Sequence, residues 1–415
     1  MFFVRFVSLN LAKILTLSCA LLLGSNLSAQ PVEPILQQTD LQYVGAFRVP
    51  SGNFGGQKTD TLLNGGHNLA YNPSNNSLFM VGHPVEQLVG EIGIPSVVNS
   101  TSLSALNRAT VLQNFVDVTE GHIRDVDPTS SEASLIGGLL VSGAKLYGTS
   151  YSYYDSDASA ILSHFASGKN LNVAGDFQGM YRLNTFGAAG YVAGLMAWIP
   201  PQWQSYLGGT AITGQCCIPI TRRTSVGPAA FSFNPTDIGN VDPVPATPLL
   251  YYTLTNPLRD NQSQNDVYNA GTYIEGVVFP VGSRTILFFG RQGTGPLCYG
   301  DAAACSDPAE VNKGYHAYPY RHQIWAYDAL DLLAVKNGTK NPWDVQPYGT
   351  WTFTLPFDND GRKRIYGAAY DPSTQRIFIT KPYSDGDLPI VHVLAVKLNK
   401  ATVTLPAAPS NLSLK

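Results

Sequence analysis

Ala70-Tyr71-Asn72-Pro73-Ser74, followed after three residues by Leu78-Phe79-Met80, recurs as Ala369-Tyr370-Asp371-Pro372-Ser373, followed after three residues by Ile377-Phe378-Ile379. In both copies a short apolar strand runs into an Asn/Asp-Pro turn and a second apolar strand returns. That is the local chemistry of a β-hairpin. Weaker copies follow the same rhythm at 138–151 and 276–290, and a fifth at 190–200 with 229–233 beyond it. Internal repetition of one hairpin is the signature of a repeat architecture.

Working outward, each hairpin is followed by a third and a fourth strand. After the copy near Glu275 these fall at 323–327 and 350–355. The last copy has a third strand at 390–398 and no fourth. Leu41-Gln42-Tyr43-Val44-Gly45-Ala46-Phe47 supplies it from the other end of the chain. The reading is an all-β, five-bladed β-propeller over 41–398, with the N-terminal strand pairing in the last blade. Radial repetition of four-stranded sheets also protects strand edges. Blades begin near 66, 136, 190, 275 and 365; their uneven spacing leaves six or seven blades open. A helix is expected only at 329–336, stopped by Gly338.

Composition agrees with this class. Of 415 residues, 44% are hydrophobic and 13% charged, against about 25% charged in average soluble domains. Gly and Pro number 39 and 28, which fits a turn-rich fold and excludes coiled coils and helical bundles. The net charge of -3, with no basic run, argues against a nucleic-acid partner.

Residues 1–29 read as a signal peptide: Arg5 and Lys13, an apolar stretch from Ile14 to Leu23, then Leu27-Ser28-Ala29 before Gln30. The apolar run is shorter than the ~20 residues a membrane span needs, so the expectation is a secreted or periplasmic protein with no membrane anchor in its mature form. A linker is expected at 30–40 and a tail at 399–415. Export makes disulfides the expectation for the four remaining cysteines. Cys298 and Cys305 are the natural local pair. Cys216 and Cys217 then form a strained vicinal bridge or stay free; cross-links to Cys298 and Cys305 are the other pairings.

Loops leading into the first strand of a blade share a face with loops joining its second and third strands. This rule gathers Asn64 and His67, His83 and Glu86, Glu120 and His122, Tyr151, Tyr154 and Asp155, Glu275, and Arg291 through His316 and Tyr318, with Lys381 and Tyr383. Functional loops on a rigid scaffold are the expectation. Aromatic rings stack on sugar faces, and arginine forks bind carboxylates.

The repeated hairpins resemble those of secreted bacterial β-propellers. Some such families cleave polysaccharides as lyases or glycosidases, though no diagnostic signature of either is present. The resemblance implies a polysaccharide ligand. For β-elimination the candidates are His67 or His83 as base, Tyr151 or Tyr154 as acid, and Arg291 as neutraliser. Asn64, Glu86, His122, Asp155, Glu275, His316, Tyr318, Lys381 and Tyr383 are the candidate substrate-binding residues. Two alternatives stand beside this. One is a glycoside hydrolase using carboxylates among Asp155, Glu275 and Glu120; the other is a propeller that binds a polysaccharide or protein without turnover. No cofactor is expected, and a divalent metal on His67, His83 and His316 lacks tight ligand spacing.

Overall fold

The computed structural model describes residues 33–184, 189–215 and 224–398. The expected leader at 1–29, Cys216, Cys217 and the expected tail at 399–415 lie outside the described residues. Five sheets are arranged as blades. Each is antiparallel, with its first strand innermost. Blade 1 spans His67–Asn72, Ser77–Val81, Val89–Gly93 and Val111–Val116; blade 2 spans Ser134–Ser142, Lys145–Ser152, His164–Gly168 and Gln178–Tyr181. Blade 3 is built from Met196–Trp198, Ala211–Thr213, Ala230–Phe233 and Val244–Leu250. Blade 4 is built from Tyr273–Val278, Thr285–Gly293, Tyr320–Asp328 and Gly349–Phe353. Blade 5 joins Gly367–Asp371, Arg376–Asp385 and Leu388–Val396 to the N-terminal strand Leu41–Arg48. The inner strands touch in the cyclic order 1-2-3-4-5-1.

The repeated hairpin works as its turn chemistry requires. Asn72 Oδ1 accepts the Ser74 amide at 3.2 Å, and Asp371 Oδ1 accepts the Ser373 amide at 2.8 Å. Asn76 and Gln375, at matching positions of the two copies, are both left-handed, with φ of 48° and 57°. The ring closes in register from Leu41↔Val396 to Arg48↔Ile390. Inner strands approach closely near the axis, which explains their small residues. A Cβ on Gly137 would lie 2.0 Å from the Ala193 carbonyl oxygen.

Blade 3 is irregular. A helix at Pro201–Leu207 is inserted between its first and second strands, and Leu183–Asn184 adds a parallel edge to its outer strand. Proline at the helix start and Gly208 in the left-handed region at its end are the flanking signals of such a helix. The expected helix Ala329–Lys336 is present, capped by the Asp328 carboxylate. Residues 33–40 are held against the propeller: the Leu36 amide donates to Thr285 Oγ1, and Glu33 accepts from the Trp203 indole.

Candidate functional site

The site lies at the mouth of the central channel, on the face where the lead-in loops meet the loops between second and third strands. Its geometry begins with a β-bulge. Blade 4's inner strand slips register between Ile274 and Gly276, so Glu275 is the extra residue. A bulge re-aims a side chain. Blades 1 and 2 slip at the corresponding place, around Asn68 and Gly137. At this level Asn68, Leu139, Met196, Glu275 and Ala368 line a void of about 10 Å³. That volume holds at most one water.

Glu275 receives Arg364 from the lead-in to blade 5. Arg364 Nε donates to Oε2 at 2.8 Å, and Nη2 donates to Oε1. The paired side chains are 18% and 6% exposed. The carboxylate holds the guanidinium's pKa up, although burial acts the other way. Around this pair the side chains form an alternating stack. Arg291 Cζ lies 4.0 Å from the Tyr320 ring and 4.6 Å from the Tyr273 ring. Arg364 Cζ lies 4.0 Å from the other neighbour of that series, the Tyr273 ring again, and 5.7 Å from Tyr366. Tyr366 in turn stacks on His67 at 3.7 Å. The order Tyr320–Arg291–Tyr273–Arg364–Tyr366–His67 therefore runs from blade 4 across the lead-in of blade 5 to blade 1.

Blade 2 faces this ladder. Burial first, then the Glu275 charge, pushes the Tyr151 hydroxyl well above its usual pKa. Tyr153 is 43% exposed and feels the Arg364 and Glu310 charges. The long loop of blade 4 completes the mouth. Cys298 and Cys305 are bonded within it, as their spacing led us to expect, and Cys298–Gly300 pairs with Gly314–His316. Asp307 organises its base by accepting from Tyr320 Oη at 2.6 Å and from His316 Nδ1 at 2.8 Å. Burial would raise the Asp307 pKa, but these donors bring it below its usual value. Glu310, from the same loop, pairs with Arg291 Nη1 at 3.3 Å.

Several residues singled out from the sequence meet here: His67, Tyr151, Glu275, Arg291 and Tyr383. His67 is lowered to about 3 by burial and by Arg364; one ring nitrogen bonds the Asn64 carbonyl, while Nε2 is buried without a partner. Tyr383 lies under Arg362, 4.7 Å from its Cζ, and hydrogen-bonds Tyr366. Tyr154, 49% exposed, and Tyr318, bordering Tyr320, lie on the neighbouring loops.

Others are engaged elsewhere. His83 accepts the Val85 amide, and its charged neighbours are Lys58 and Glu86; Glu86 accepts the Gln57 amide. His122 is exposed, paired with Asp125 and stacked on Phe177. Glu120 accepts the Gly175 and Asp176 amides. Asp155 is buried, accepts the Ser159 amide, and has a raised pKa from burial. His316 is occupied by Asp307 and two backbone carbonyls. Lys381 is fully buried between Asp358 and Asp360. His67, His83 and His316 do not come together, and no cluster of three or more potential metal ligands occurs among the described residues.

Sequence reasoning missed Tyr273, Arg362, Arg364 and Tyr366. Three of them stand in the lead-in to the last blade, Arg362-Lys363-Arg364-Ile365-Tyr366. Applying the lead-in rule to that blade as well would have found them.

No protein-family model matches the chain, and no curated protein matches it. Solved structures share its course at low identity. One is described under the GH130 family of mannoside phosphorylases, which contains glycoside hydrolases that target β-1,2 mannosidic linkages in Candida mannan. It is 11% identical, covers 87% of this chain and 96% of its own, and has a TM-score of 0.42. A glycosyl hydrolase from Bacteroides ovatus is 11% identical over 88% of this chain and 94% of its own, with a TM-score of 0.39. A luciferin-regenerating enzyme is 8% identical over 86% and 94%, with a TM-score of 0.35. At these values the chemistry has to be argued from this chain's own residues.

Proposed function

We propose that the protein is a carbohydrate-active propeller that seats an acidic saccharide on the channel mouth and cleaves it by β-elimination. The observation that carries this reading is Arg362. Arg291 and Arg364 are each paired with a glutamate, whereas Arg362 has no ion pair among the described residues. It is oriented all the same, by an Nε bond to the Ala309 carbonyl at 2.9 Å and by the Tyr383 ring. A fixed guanidinium without a counter-charge, set against a tyrosine ring, suits a sugar carboxylate.

In this reading Arg362 holds the carboxylate and stabilises the charge that builds on it as the adjacent carbon loses its proton. His67 Nε2 accepts that proton; burial and Arg364 lower its pKa to about 3 in the closed site, which keeps the imidazole neutral but weakly basic, so the step depends on the opening that hydrates Nε2. The electron pair forms the new double bond as the bond to the leaving oxygen breaks. Tyr153, exposed on the facing blade, donates a proton to that oxygen. Nε2 is buried, so the step requires the groups packed around it to open.

The burial of Nε2 favours a second reading, in which the mouth binds the polymer without turnover. One experiment separates them. The mature protein is incubated with acidic and neutral polysaccharides while unsaturated-uronate absorbance, reducing ends and co-sedimentation are followed. Elimination raises the first two together on acidic polymers only. Arg362→Ala loses binding and turnover, and His67→Asn loses turnover alone. Retention without either signal establishes the binder. Reducing ends without absorbance indicate hydrolysis, and no interaction with any acidic polymer ends the proposal.

A further inference from the structure

The opposite face carries a second concavity. The turns after the inner strands of blades 1 and 2 meet the end of blade 3's inner strand around a cavity of about 280 Å³, lined by Asn72, Ser74, Ser142, Gly143, Lys169 and Trp198. Three features make it a built site. Lys169 Nζ donates to Asn72 Oδ1 at 3.4 Å and to Ser74 Oγ at 3.1 Å. Both acceptors are neutral, and Lys169 has no ion pair among the described residues. Asn72 is itself fully buried and fixed, because its Nδ2 donates to the Glu91 carboxylate at 2.6 Å. Its Oδ1 is thereby turned to the Ser74 amide, at 3.2 Å, and to the ammonium. The Trp198 indole is pinned by a bond from Nε1 to the Val141 carbonyl at 3.2 Å, and so borders the cavity as a fixed aromatic wall.

We propose that this cavity is a second saccharide site, which takes one acidic sugar unit with its carboxylate on Lys169, its apolar face on Trp198 and its hydroxyls on Ser74 and Ser142. The volume lies at the small end of ligand pockets, which start at about 300 Å³, and suits a single ring more than a chain. An aromatic wall beside an unpaired ammonium matches a ring with one apolar face and one anionic group. The identification of the ligand as an acidic sugar rests on the reading of the channel mouth; the site itself does not. A polymer held on one face would then have a second point of attachment on the other.

The test is calorimetric titration of the full chain with a galacturonate trisaccharide, and with cellotriose as the neutral probe. Two sites per chain are expected for the acidic probe and none for the neutral one. Lys169→Gln weakens one site by about tenfold or more, the loss of a charge-assisted contact, and leaves the other unchanged; Trp198→Phe weakens that same site by less. Arg362→Ala does the reverse. Trp198→Phe keeps an aromatic wall, and circular dichroism confirms that each variant is folded. A single site that Arg362→Ala abolishes and Lys169→Gln leaves intact overturns this inference and spares the proposed function. A single site lost in Lys169→Gln and kept in Arg362→Ala supports the inference and overturns the reading of the mouth. No binding of the acidic probe overturns both.

Discussion

Replacing Glu275 by Gln keeps the shape of the site and removes one charge from its centre. The partner left behind, Arg364, is 18% exposed and has only Tyr273 and Tyr366 as further neighbours in the stack. Breaking a buried ion pair on one side costs about 3–5 kcal/mol, because a desolvated charge loses its counter-charge. The residual exposure of Arg364 places Glu275→Gln at the lower end, about 3 kcal/mol. For a large domain this lowers the melting temperature by roughly 6 °C, at ~2 °C per kcal/mol. Arg364→Met strands the more deeply buried Glu275 and costs more, about 4–5 kcal/mol. The double variant removes both charges and retains the apolar stem, so it lies closer to wild type than either single variant; only the cation–π contacts, worth roughly 1 kcal/mol, are not recovered. Thermal unfolding of the four proteins, followed by circular dichroism, gives the coupling directly. A Glu275→Gln shift below about 1 °C would refute the premise that this pair is desolvated. A double variant as unstable as the sum of the singles would refute the premise that the two charges depend on each other.

Acid should unfold the protein early. His67, His164 and His392 are each lowered to about 3, chiefly by burial. Their contribution is fully present above the unfolded-state value of ~6.5 and is lost as pH falls from there towards 3, at about 1.4 kcal/mol per pH unit for each histidine. Urea midpoints measured between pH 8 and 4 should fall steeply, and less steeply by one histidine's share in His164→Asn; an unchanged slope contradicts the assignment. Reduction of Cys298–Cys305, or its replacement by serines, frees the loop around exposed Lys313. Trypsin should then cut after Lys313 at a dithiothreitol-dependent rate while the sheet signal persists; equal cutting with and without reductant removes the staple from the account. Gly137→Ala forces a methyl onto the Ala193 carbonyl and should cost about 1–3 kcal/mol by overpacking. Gly314→Ala meets nothing within 4 Å and should melt with wild type.

The hairpins were legible because an Asn/Asp-Pro turn is local chemistry. Asn72 and Asp371 bond residues two positions on, and the left-handed Asn76 and Gln375 follow in the same turn. Ring closure was legible by counting strands against the ends of the chain. The site was legible only as a face. The lead-in rule selects loops at one end of the blades and says nothing of their distance from the axis. It therefore returned His83, His122 and Glu120, which are engaged with the Val85 amide, Asp125 and the Gly175 and Asp176 amides, together with His67 and Glu275. The pairing of Glu275 with Arg364 spans 89 residues, and no spacing pattern encodes it. The same holds for the stack of Arg291 between Tyr273 and Tyr320: the sequence offers an arginine and a run of tyrosines, and only the fold selects which rings flank it.

The ladder has to be divided before function is read from it. Arg291 and Arg364 each satisfy a glutamate and two rings, and the stack links blade 4, the lead-in of blade 5 and blade 1 across the part of the ring where the chain ends are joined. Architecture alone explains charges placed there. Arg362 has no such explanation, since its Nε holds one loop carbonyl and its charge answers no acid among the described residues. Structural arginines and a ligand arginine predict opposite patterns. Arg364→Met should lower the melting temperature by several degrees. Arg362→Ala should leave melting within about 1 °C, as substitutions away from buried features do, while abolishing retention on acidic polysaccharide. If Arg362→Ala instead melts early and still binds, its guanidinium belongs to the scaffold and the ligand site must be sought on Tyr153 and the opposite face.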